Sequence, residues 1–235
     1  MHIFYTPRVQ GRVVTLSEKE SRHSVKVLRL REGSEVTLVD GSGTLYQGQV
    51  IEASPKQCAI RITETYTAYG KRDYRLHMGV APTKNTERFE WFLEKAVEMG
   101  VDEITPLNGF HSERKRIKPE RFERIMVSAM KQSVKAYKPQ LNPLTDVEDF
   151  IAQAPQTWHK YIAHCREGQR YNLAKSLRPA SDVLIAIGPE GDFAGHEVEQ
   201  ALERGFTPIS LGSARLRTET AGVAAVHTVY LINQK

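Results

Sequence analysis

The chain has 235 residues, of which 40% are hydrophobic and 26% are charged, as in an ordinary globular protein. Its 33 lysines and arginines against 28 aspartates and glutamates leave a net charge of +5. It contains no run of about eighteen apolar residues, so we expect no membrane span, and its first residues lack the basic-then-apolar form of a secretory signal. Two distant cysteines, Cys58 and Cys165, make a disulfide framework unexpected and suit a cytoplasmic location. The histidines are scattered and H-E-x-x-H is absent, so we expect no metal site.

The first seventy residues have the pattern of a small β-barrel. Short strands are predicted over residues 3–5, 12–15, 35–40, 44–52 and 57–63. A helix is predicted to begin at Ser17, which forms a capping box with Glu20. The run Asp40-Gly41-Ser42-Gly43 between two strands indicates a hairpin turn. The polar stretch 65–74 is the predicted boundary, so we expect one domain over residues 1–70 and another over 74–235.

From residue 75 onward, apolar strands alternate with helices, which predicts an α/β domain with a mostly parallel sheet. Strands are predicted over residues 76–80, 103–107, 161–164, 182–187 and 208–211. Helices are predicted over residues 86–99, 119–132, 147–154, 194–204 and 219–233. Gly100 and Gly205 are the expected C-terminal caps of two of these helices, and Thr218 is the expected N-cap of the last one.

Two loops near the C-terminus carry the clearest functional signal. Gly188-Pro189-Glu190-Gly191 follows a buried strand, and a second loop, residues 211–221, also lies between a strand and a helix. In open α/β sheets, ligands bind at the carboxyl ends of the strands. Arg215 and Arg217 flank Leu216 and could direct two guanidinium groups toward an anion or a carbonyl. Small residues at 222, 224 and 225 predict a close helix contact, either within the chain or across a dimer.

Taken singly, each of these loops could be an ordinary connection. The dinucleotide pattern G-x-G-x-x-G and the triphosphate pattern G-x-x-x-x-G-K-[ST] are both absent, which argues against a Rossmann-type dehydrogenase without eliminating it.

Charge is unevenly distributed. Residues 1–72 hold 11 lysines and arginines against 7 acids, whereas the remainder is almost neutral. A basic module next to a neutral α/β module suggests a polyanion-binding arm, although a solvated basic surface would look the same. The segment 111–138, with nine basic residues against three acids, is a second candidate for RNA contact or an amphipathic helix with a solvated face.

The motifs together resemble the RsmE family of SPOUT-class RNA methyltransferases. The resemblance rests on Gly188-Pro-Glu-Gly191 and on Leu211-Gly-Ser-Ala-Arg-Leu-Arg-Thr-Glu-Thr-Ala221, and it extends to Phe4-Tyr-Thr-Pro-Arg8, Thr83-Lys84 and Ile104-Thr-Pro-Leu107. Nearly the whole chain is covered. Many members carry a third glycine where Asp192 stands, and Arg-Ser where this chain has His111-Ser112.

The resemblance implies a SPOUT-type α/β trefoil-knot methyltransferase domain preceded by a small PUA-like β-barrel that binds RNA. It also implies a homodimer that transfers a methyl group from S-adenosylmethionine to nitrogen 3 of one uridine in small-subunit (16S) ribosomal RNA, free or in the particle. Alternatives that stay open are another RNA position and a non-catalytic RNA-binding protein of the same fold.

Site residues follow from the family motifs. The cofactor is expected in the knot, in contact with residues of three loops: His164, Ile187, Gly188, Glu190, Gly191, Leu211, Gly212, Leu216 and Arg217. Arg217 and Arg8 are the expected catalytic residues, because loss of the proton on nitrogen 3 builds negative charge on the uracil oxygens. RNA-binding residues are expected in the barrel: Arg8, Arg22, His23, Lys26 and Arg29. Glu219 could act as a base, but its place in a first helical turn favours a structural role.

Overall fold

The computed structural model describes residues 2–234. The chain divides into two compact units. The first takes the chain up to Lys71 together with Met130–Lys138, and the second comprises Arg72–Ala129 and the described chain from Pro139 onward. One helix, Pro119–Gln132, contributes residues to both units.

A five-stranded mixed sheet forms the first unit. Its elements in chain order are β1 (Ile3–Tyr5), β2 (Val13–Thr15), α1 (Glu18–Arg22), β3 (Glu35–Val39), β4 (Leu45–Ala53) and β5 (Cys58–Tyr66). The strand order is β1-β3-β4-β5-β2, with β1 parallel to β3 and the other pairs antiparallel. Register shifts between β4 and β5 mark bulges, which bend a strand and help a sheet to curve. The core is apolar; it includes Phe4, Leu38 and Ile60.

The N-cap at Ser17 and the hairpin turn after β3 are confirmed, whereas of the predicted Ser17–Glu20 capping box the structure shows the Ser17 half. The side chain of Ser17 accepts a hydrogen bond from the Glu20 backbone at 3.3 Å and caps α1. The Glu20 carboxylate pairs with Lys131 Nζ at 3.0 Å. The Asp40 carboxylate accepts hydrogen bonds from the backbones of Ser42 and Thr44, which closes the predicted hairpin turn between β3 and β4. Helix α1 continues into a π-helical turn, His23–Val27, which was not predicted.

The second unit alternates strands and helices. Its strands are β6 (Leu76–Val80), β7 (Glu103–Asn108), β8 (Gln140–Leu141), β9 (Thr145–Asp146), β10 (His159–Ala163), β11 (Tyr171–Asn172), β12 (Val183–Ile187) and β13 (Thr207–Ser210). Its helices are α2 (Thr86–Met99), α3 (Pro119–Gln132), α4 (Val147–Ala152), α5 (Leu173–Ser176), α6 (Gly195–Glu203) and α7 (Thr218–Ile232). No helix within residues 2–234 is both long enough and apolar enough to span a bilayer.

Every strand pair in the second sheet is parallel, as the βα alternation predicted. The order is β11-β13-β10-β12-β6-β7-β8, with β9 also paired to β7. All five residues of β12 are buried, which explains its uninterrupted apolar sequence. Leu184 and Ala186 pack with residues of α4 and α6 in one apolar cluster.

Helix α7 takes an unusual path. It follows β13, yet it packs against β6 and β12, two strands that lie beyond β10 in the sheet. It also packs along α2, where Gly222 faces Phe92. A β-carbon at position 222 would stand 2.7 Å from Phe92 Cδ2, so the close approach predicted for this helix occurs within the chain.

The prediction that Thr218 caps α7 was wrong. The N-cap is Arg217, with an extended backbone and no side-chain hydrogen bond to the helix, and Thr218 is the first helical residue. Its hydroxyl instead donates to the backbone oxygen of Gly188 at 3.1 Å. A tertiary hydrogen bond therefore takes the side chain that local sequence rules assign to the cap.

Candidate functional site

Three loops meet at one edge of the second sheet. Strands β13, β10 and β12 are neighbours and parallel, so the segments that follow them, residues 211–217, 164–170 and 188–194, leave from the same edge. All the residues predicted to contact a cofactor lie in these segments or at the last residue of β12. The fold thus brings together residues that stand up to 53 positions apart in the chain.

The glycines of the 188–194 segment are packed against protein atoms. A β-carbon at Gly188 would stand 3.0 Å from the ring of Phe193, and one at Gly191 would stand 2.9 Å from Cβ of His111. The residue with a left-handed backbone is Asp192, with φ of 65°. Aspartate tolerates this region better than most residues, and it stands at the position where many members of the family that the motifs resemble carry glycine.

Asp192 connects two of the loops. One carboxylate oxygen accepts a hydrogen bond from the backbone N–H of Cys165 at 2.8 Å, and the other accepts from its neighbour Phe193 at 2.9 Å. The first bond joins the segment after β10 to the segment after β12. The strained backbone therefore positions a carboxylate that holds the edge of the site together.

Thr218 connects the remaining loop. Its buried hydroxyl donates to the backbone of Gly188, so the start of α7 is bound to the segment after β12. Arg217, the residue before it, has an exposed side chain at the N-terminus of the helix. A guanidinium in that position is free to meet a ligand.

Loops from β6 and β7 support this edge from the side. Glu190 accepts a hydrogen bond from the Lys84 backbone at 2.9 Å. Arg114 donates from Nε to the Thr83 oxygen at 3.0 Å and from Nη2 to the Lys84 oxygen at 2.5 Å. Sequence reasoning assigned no role to Arg114, although its partners Thr83 and Lys84 belong to the recognised motifs.

Glu197 is a buried carboxylate that sequence reasoning also missed. One oxygen accepts from the Phe110 backbone at 2.9 Å and the other from the Ala194 backbone at 2.6 Å. It thereby caps α6 and fixes the loop after β7. Its position three residues after the N-cap, where a glutamate can complete a capping box, was the available signal.

His164 is buried at the start of the segment after β10. Burial lowers the pKa of its imidazole, a tendency that Asp192 opposes and that Arg170 and Arg166 reinforce. Its Nδ1 atom is buried without a hydrogen-bond partner among the described residues. A neutral ring with an unused nitrogen is therefore available at the predicted cofactor edge.

The segment after β13, residues 211–217, leaves open space beside Gly212. Gly212 has φ of 130°, and apart from Gly212 and its two chain neighbours no atom of residues 2–234 lies within 4 Å of where its β-carbon would be. Leu211 and Leu216, which belong to the same segment, are partly buried. Glu219, the second residue of α7, is buried; its Oε1 lies 3.9 Å from Arg88 Nε, and its Oε2 has no hydrogen-bond partner within residues 2–234.

The residues predicted to bind RNA lie in the first unit. Arg22, His23 and Lys26 are exposed on α1 and the π-helical turn, and Arg29 follows them with a left-handed backbone. Arg22 is paired with Glu18 at 2.9 Å. Arg8 is exposed in the segment between β1 and β2. Four of the five predicted side chains are therefore exposed residues of one short segment, residues 22–29, in which Ser24 is buried.

Comparison with known proteins agrees with this architecture. The family described as RNA methyltransferase domain matches residues 71–230, and the RNA methyltransferase PUA domain matches residues 16–63. The ribosomal RNA small subunit methyltransferase E of Buchnera aphidicola subsp. Acyrthosiphon pisum is 28% identical over 217 residues, covering 90% of this chain and 85% of that protein.

Solved structures give the same result. A probable rRNA-methyltransferase from Porphyromonas gingivalis shares 40% identity with a TM-score of 0.92, covering 99% of this chain and 98% of that chain. A ribosomal RNA small subunit methyltransferase E from Neisseria gonorrhoeae, bound to S-adenosyl methionine, shares 26% identity with a TM-score of 0.87, covering 99% of this chain and 98% of that one. The predicted fold class, a SPOUT-type α/β domain preceded by a PUA-like domain, is confirmed.

Proposed function

This chain belongs to the RsmE family of RNA methyltransferases, and we propose that it methylates nitrogen 3 of one uridine in small-subunit ribosomal RNA with S-adenosylmethionine as the methyl donor. The observation that carries the proposal is the joining of three motif loops at one sheet edge, through Asp192 to Cys165 and through Thr218 to Gly188. Relatives named ribosomal RNA small subunit methyltransferase E support small-subunit ribosomal RNA as the substrate class.

The loop residues suit S-adenosylmethionine. The open space at Gly212 and the apolar side chains of Leu211 and Leu216 would accept a purine ring. The unpartnered nitrogen of His164 offers a polar contact. The remaining contacts are assigned to the end of β12 and the loop after it: Ile187, Gly188, Glu190 and Gly191. Arg217 completes the set at the start of α7.

When bound, this cofactor supplies an electrophilic sulfonium methyl group. The protein therefore needs to place the attacking nitrogen in line more than it needs a nucleophile of its own. The nitrogen of uridine carries a proton between two carbonyls, and its loss places negative charge on their oxygens. The exposed guanidinium of Arg217, at the N-terminus of α7, is suited to stabilise that charge, as donors in an oxyanion hole do.

The role of Arg217 has a direct test. Arg217→Ala is expected to lower kcat by about 10²-fold or more, the usual effect of removing one charge-stabilising donor. Arg215→Ala removes a guanidinium two residues away and is expected to cost much less. Full turnover and unchanged cofactor affinity in Arg217→Ala would refute the assignment.

We assign RNA binding to residues 1–70, as a PUA-like domain, and methyl transfer to residues 74–235. Arg22, His23, Lys26 and Arg29 would contact phosphates, and Arg8 would contact RNA or the reacting base. Replacing any one basic residue should weaken RNA binding and reduce its dependence on salt. The family likeness supports a homodimer acting in the cytoplasm on ribosomal RNA or the particle, without a metal; sedimentation of the purified protein tests the dimer.

The decisive experiment uses labelled S-adenosylmethionine and small-subunit particles, or their RNA, from a strain that lacks the protein. Mapping of the product by mass spectrometry is expected to find 3-methyluridine at one position. A methylated nucleotide elsewhere would move the activity to another RNA site. RNA binding without cofactor binding would indicate a non-catalytic member of the fold.

A further inference from the structure

An exposed aromatic side chain stands beside the cofactor edge. Phe110 follows β7 by two residues, and 70% of it is accessible, although it is large and apolar. Two imidazoles stand almost perpendicular to its ring, His111 at 5.0 Å and His196 at 5.8 Å between centroids. Its ring is thus supported by neighbouring rings while most of its surface faces outward.

The backbone under this ring is fixed. The Phe110 N–H donates to the buried carboxylate of Glu197, and the Gly109 N–H donates to the Ser112 hydroxyl at 2.9 Å. His196, which contacts the ring, lies 3.5 Å from Glu148 on α4. These contacts hold an apolar side chain in an exposed position, so the exposure is built into the loop.

The ring also lies next to the proposed active site. Its neighbour His111 packs on Gly191, and His111 Nδ1 lies 3.1 Å from the backbone oxygen of Asp192. Gly191 and Asp192 belong to the loop after β12 that we assign to the cofactor. A group bound on Phe110 would therefore lie close to the place where the methyl group is transferred.

The segment that follows Phe110 carries exposed basic side chains that could bind a ligand. Lys115, Arg116 and Lys118 are exposed, and within residues 2–234 their side chains form no ion pair or side-chain hydrogen bond. The acid in this stretch, Glu113, is already paired with Lys84 at 2.8 Å. An aromatic surface is thus followed by uncompensated positive charge.

We infer that a nucleobase of the substrate RNA stacks on Phe110 while Lys115, Arg116 and Lys118 neutralise the adjacent phosphates. Proteins that hold single-stranded RNA combine these two elements: an aromatic face that any base can cover and cations that follow the backbone. The inference rests on the proposed function, because it places the RNA beside the cofactor loops. In this inference Lys115, Arg116 and Lys118 help to hold an unstacked nucleotide near the target uridine.

The test compares four variants. Phe110→Ala removes the ring, Phe110→Leu keeps an apolar side chain without a π-face, and Phe110→Tyr keeps the ring. Leu202→Ala is the matched control, because Leu202 is an exposed apolar residue near the C-terminal end of α6. Each is titrated against small-subunit particles from the strain that lacks the protein, and S-adenosylmethionine affinity is measured separately by calorimetry.

Stacking predicts a clear pattern. Phe110→Ala and Phe110→Leu should each weaken particle binding by about tenfold, whereas Phe110→Tyr and Leu202→Ala should bind as the unmodified protein does. Cofactor affinity should stay within about twofold in all four, since no cofactor contact is assigned to Phe110. Ultraviolet cross-linking of the unmodified protein to the particles should attach a nucleotide to the peptide that contains Phe110.

Several results would overturn the inference. Unchanged binding by Phe110→Ala, full binding by Phe110→Leu, or cross-links confined to peptides that lack Phe110 would each do so. A change in the sedimentation of Phe110→Ala would show instead that a second copy of the chain covers the ring. Failure of the unmodified protein to methylate RNA would defeat the proposed function alone, provided that binding and the cross-link at Phe110 are observed.

Discussion

The backbone N–H of Cys165 donates to the Asp192 carboxylate at 2.8 Å, and this bond joins two loops that follow neighbouring parallel strands. To hold the carboxylate there, the backbone of Asp192 adopts a left-handed conformation with φ of 65°, which is strained for a residue with a side chain. A glycine would remove the strain but also the carboxylate. We expect the two hydrogen bonds of the carboxylate to outweigh the strain, which would explain why an aspartate stands at a position that favours glycine.

Replacing Asp192 separates these effects. Asp192→Ala keeps the strain and loses both hydrogen bonds, so it should lower the free energy of unfolding by about 2–3 kcal/mol. Asp192→Gly should lose less, and Asp192→Asn, which keeps one acceptor oxygen, least. Urea denaturation measures the stabilities and calorimetry the S-adenosylmethionine affinity, which should follow the same order. If Asp192→Ala and Asp192→Gly had the same free energy of unfolding, backbone strain would not contribute to the stability.

Thr218 should couple the start of α7 to the loop after β12. Thr218→Val keeps the shape but leaves the buried oxygen of Gly188 without its donor, at a cost of about 1–3 kcal/mol. Cofactor affinity should fall by roughly tenfold, because both loops contribute to the proposed site. Thr218→Ser, which retains the hydroxyl, is the control. Equal behaviour of Val and Ser in both measurements would rule out the coupling.

Gly222 should be intolerant of any side chain. Its β-carbon in Gly222→Ala would stand 2.7 Å from Phe92 Cδ2, so the α2–α7 contact must open and stability should fall by about 1–3 kcal/mol. The double variant with Phe92→Leu should lose less than the two single losses together, since the smaller residue makes room. Thermal unfolding measures all three variants; strict additivity would show that the clash is not the cause.

His77 should make the protein less stable in acid. Burial lowers the pKa of its imidazole from 6.5 to about 4, although Glu103 opposes the shift, while Arg75 adds to it. Between these values the unfolded chain binds more protons, so the free energy of unfolding falls as the pH drops from 6.5 to about 4, by on the order of 3 kcal/mol.

Denaturation across this pH range tests the prediction. His77→Gln, which keeps a polar group near Thr105, should flatten the acid slope, whereas replacement of the exposed His227 should not. An identical slope in the unmodified protein and His77→Gln would assign the acid sensitivity to other groups.

Much of the fold could be predicted because its signals are local. Buried strands such as β12 are continuous apolar runs. Helix α2 is capped by Gly100, whose φ of 94° is favourable for a residue that lacks a side chain. Short elements such as β8 and β11 were missed, since two residues carry no periodicity. The relation between α7 and β6 was not visible either, because nothing local encodes which strand a helix covers.

The amino-acid sequence by itself determined the two-part architecture, the parallel sheet and the loops that carry the site, because strand length, helical spacing and the glycine motifs are written in neighbouring residues. Only the tertiary structure decided how those loops are held. Asp192, Thr218, Glu197 and Arg114 act on partners that lie 27 to 87 positions away. A hydrogen bond of that range depends on the folded positions of two backbones, which no local pattern contains.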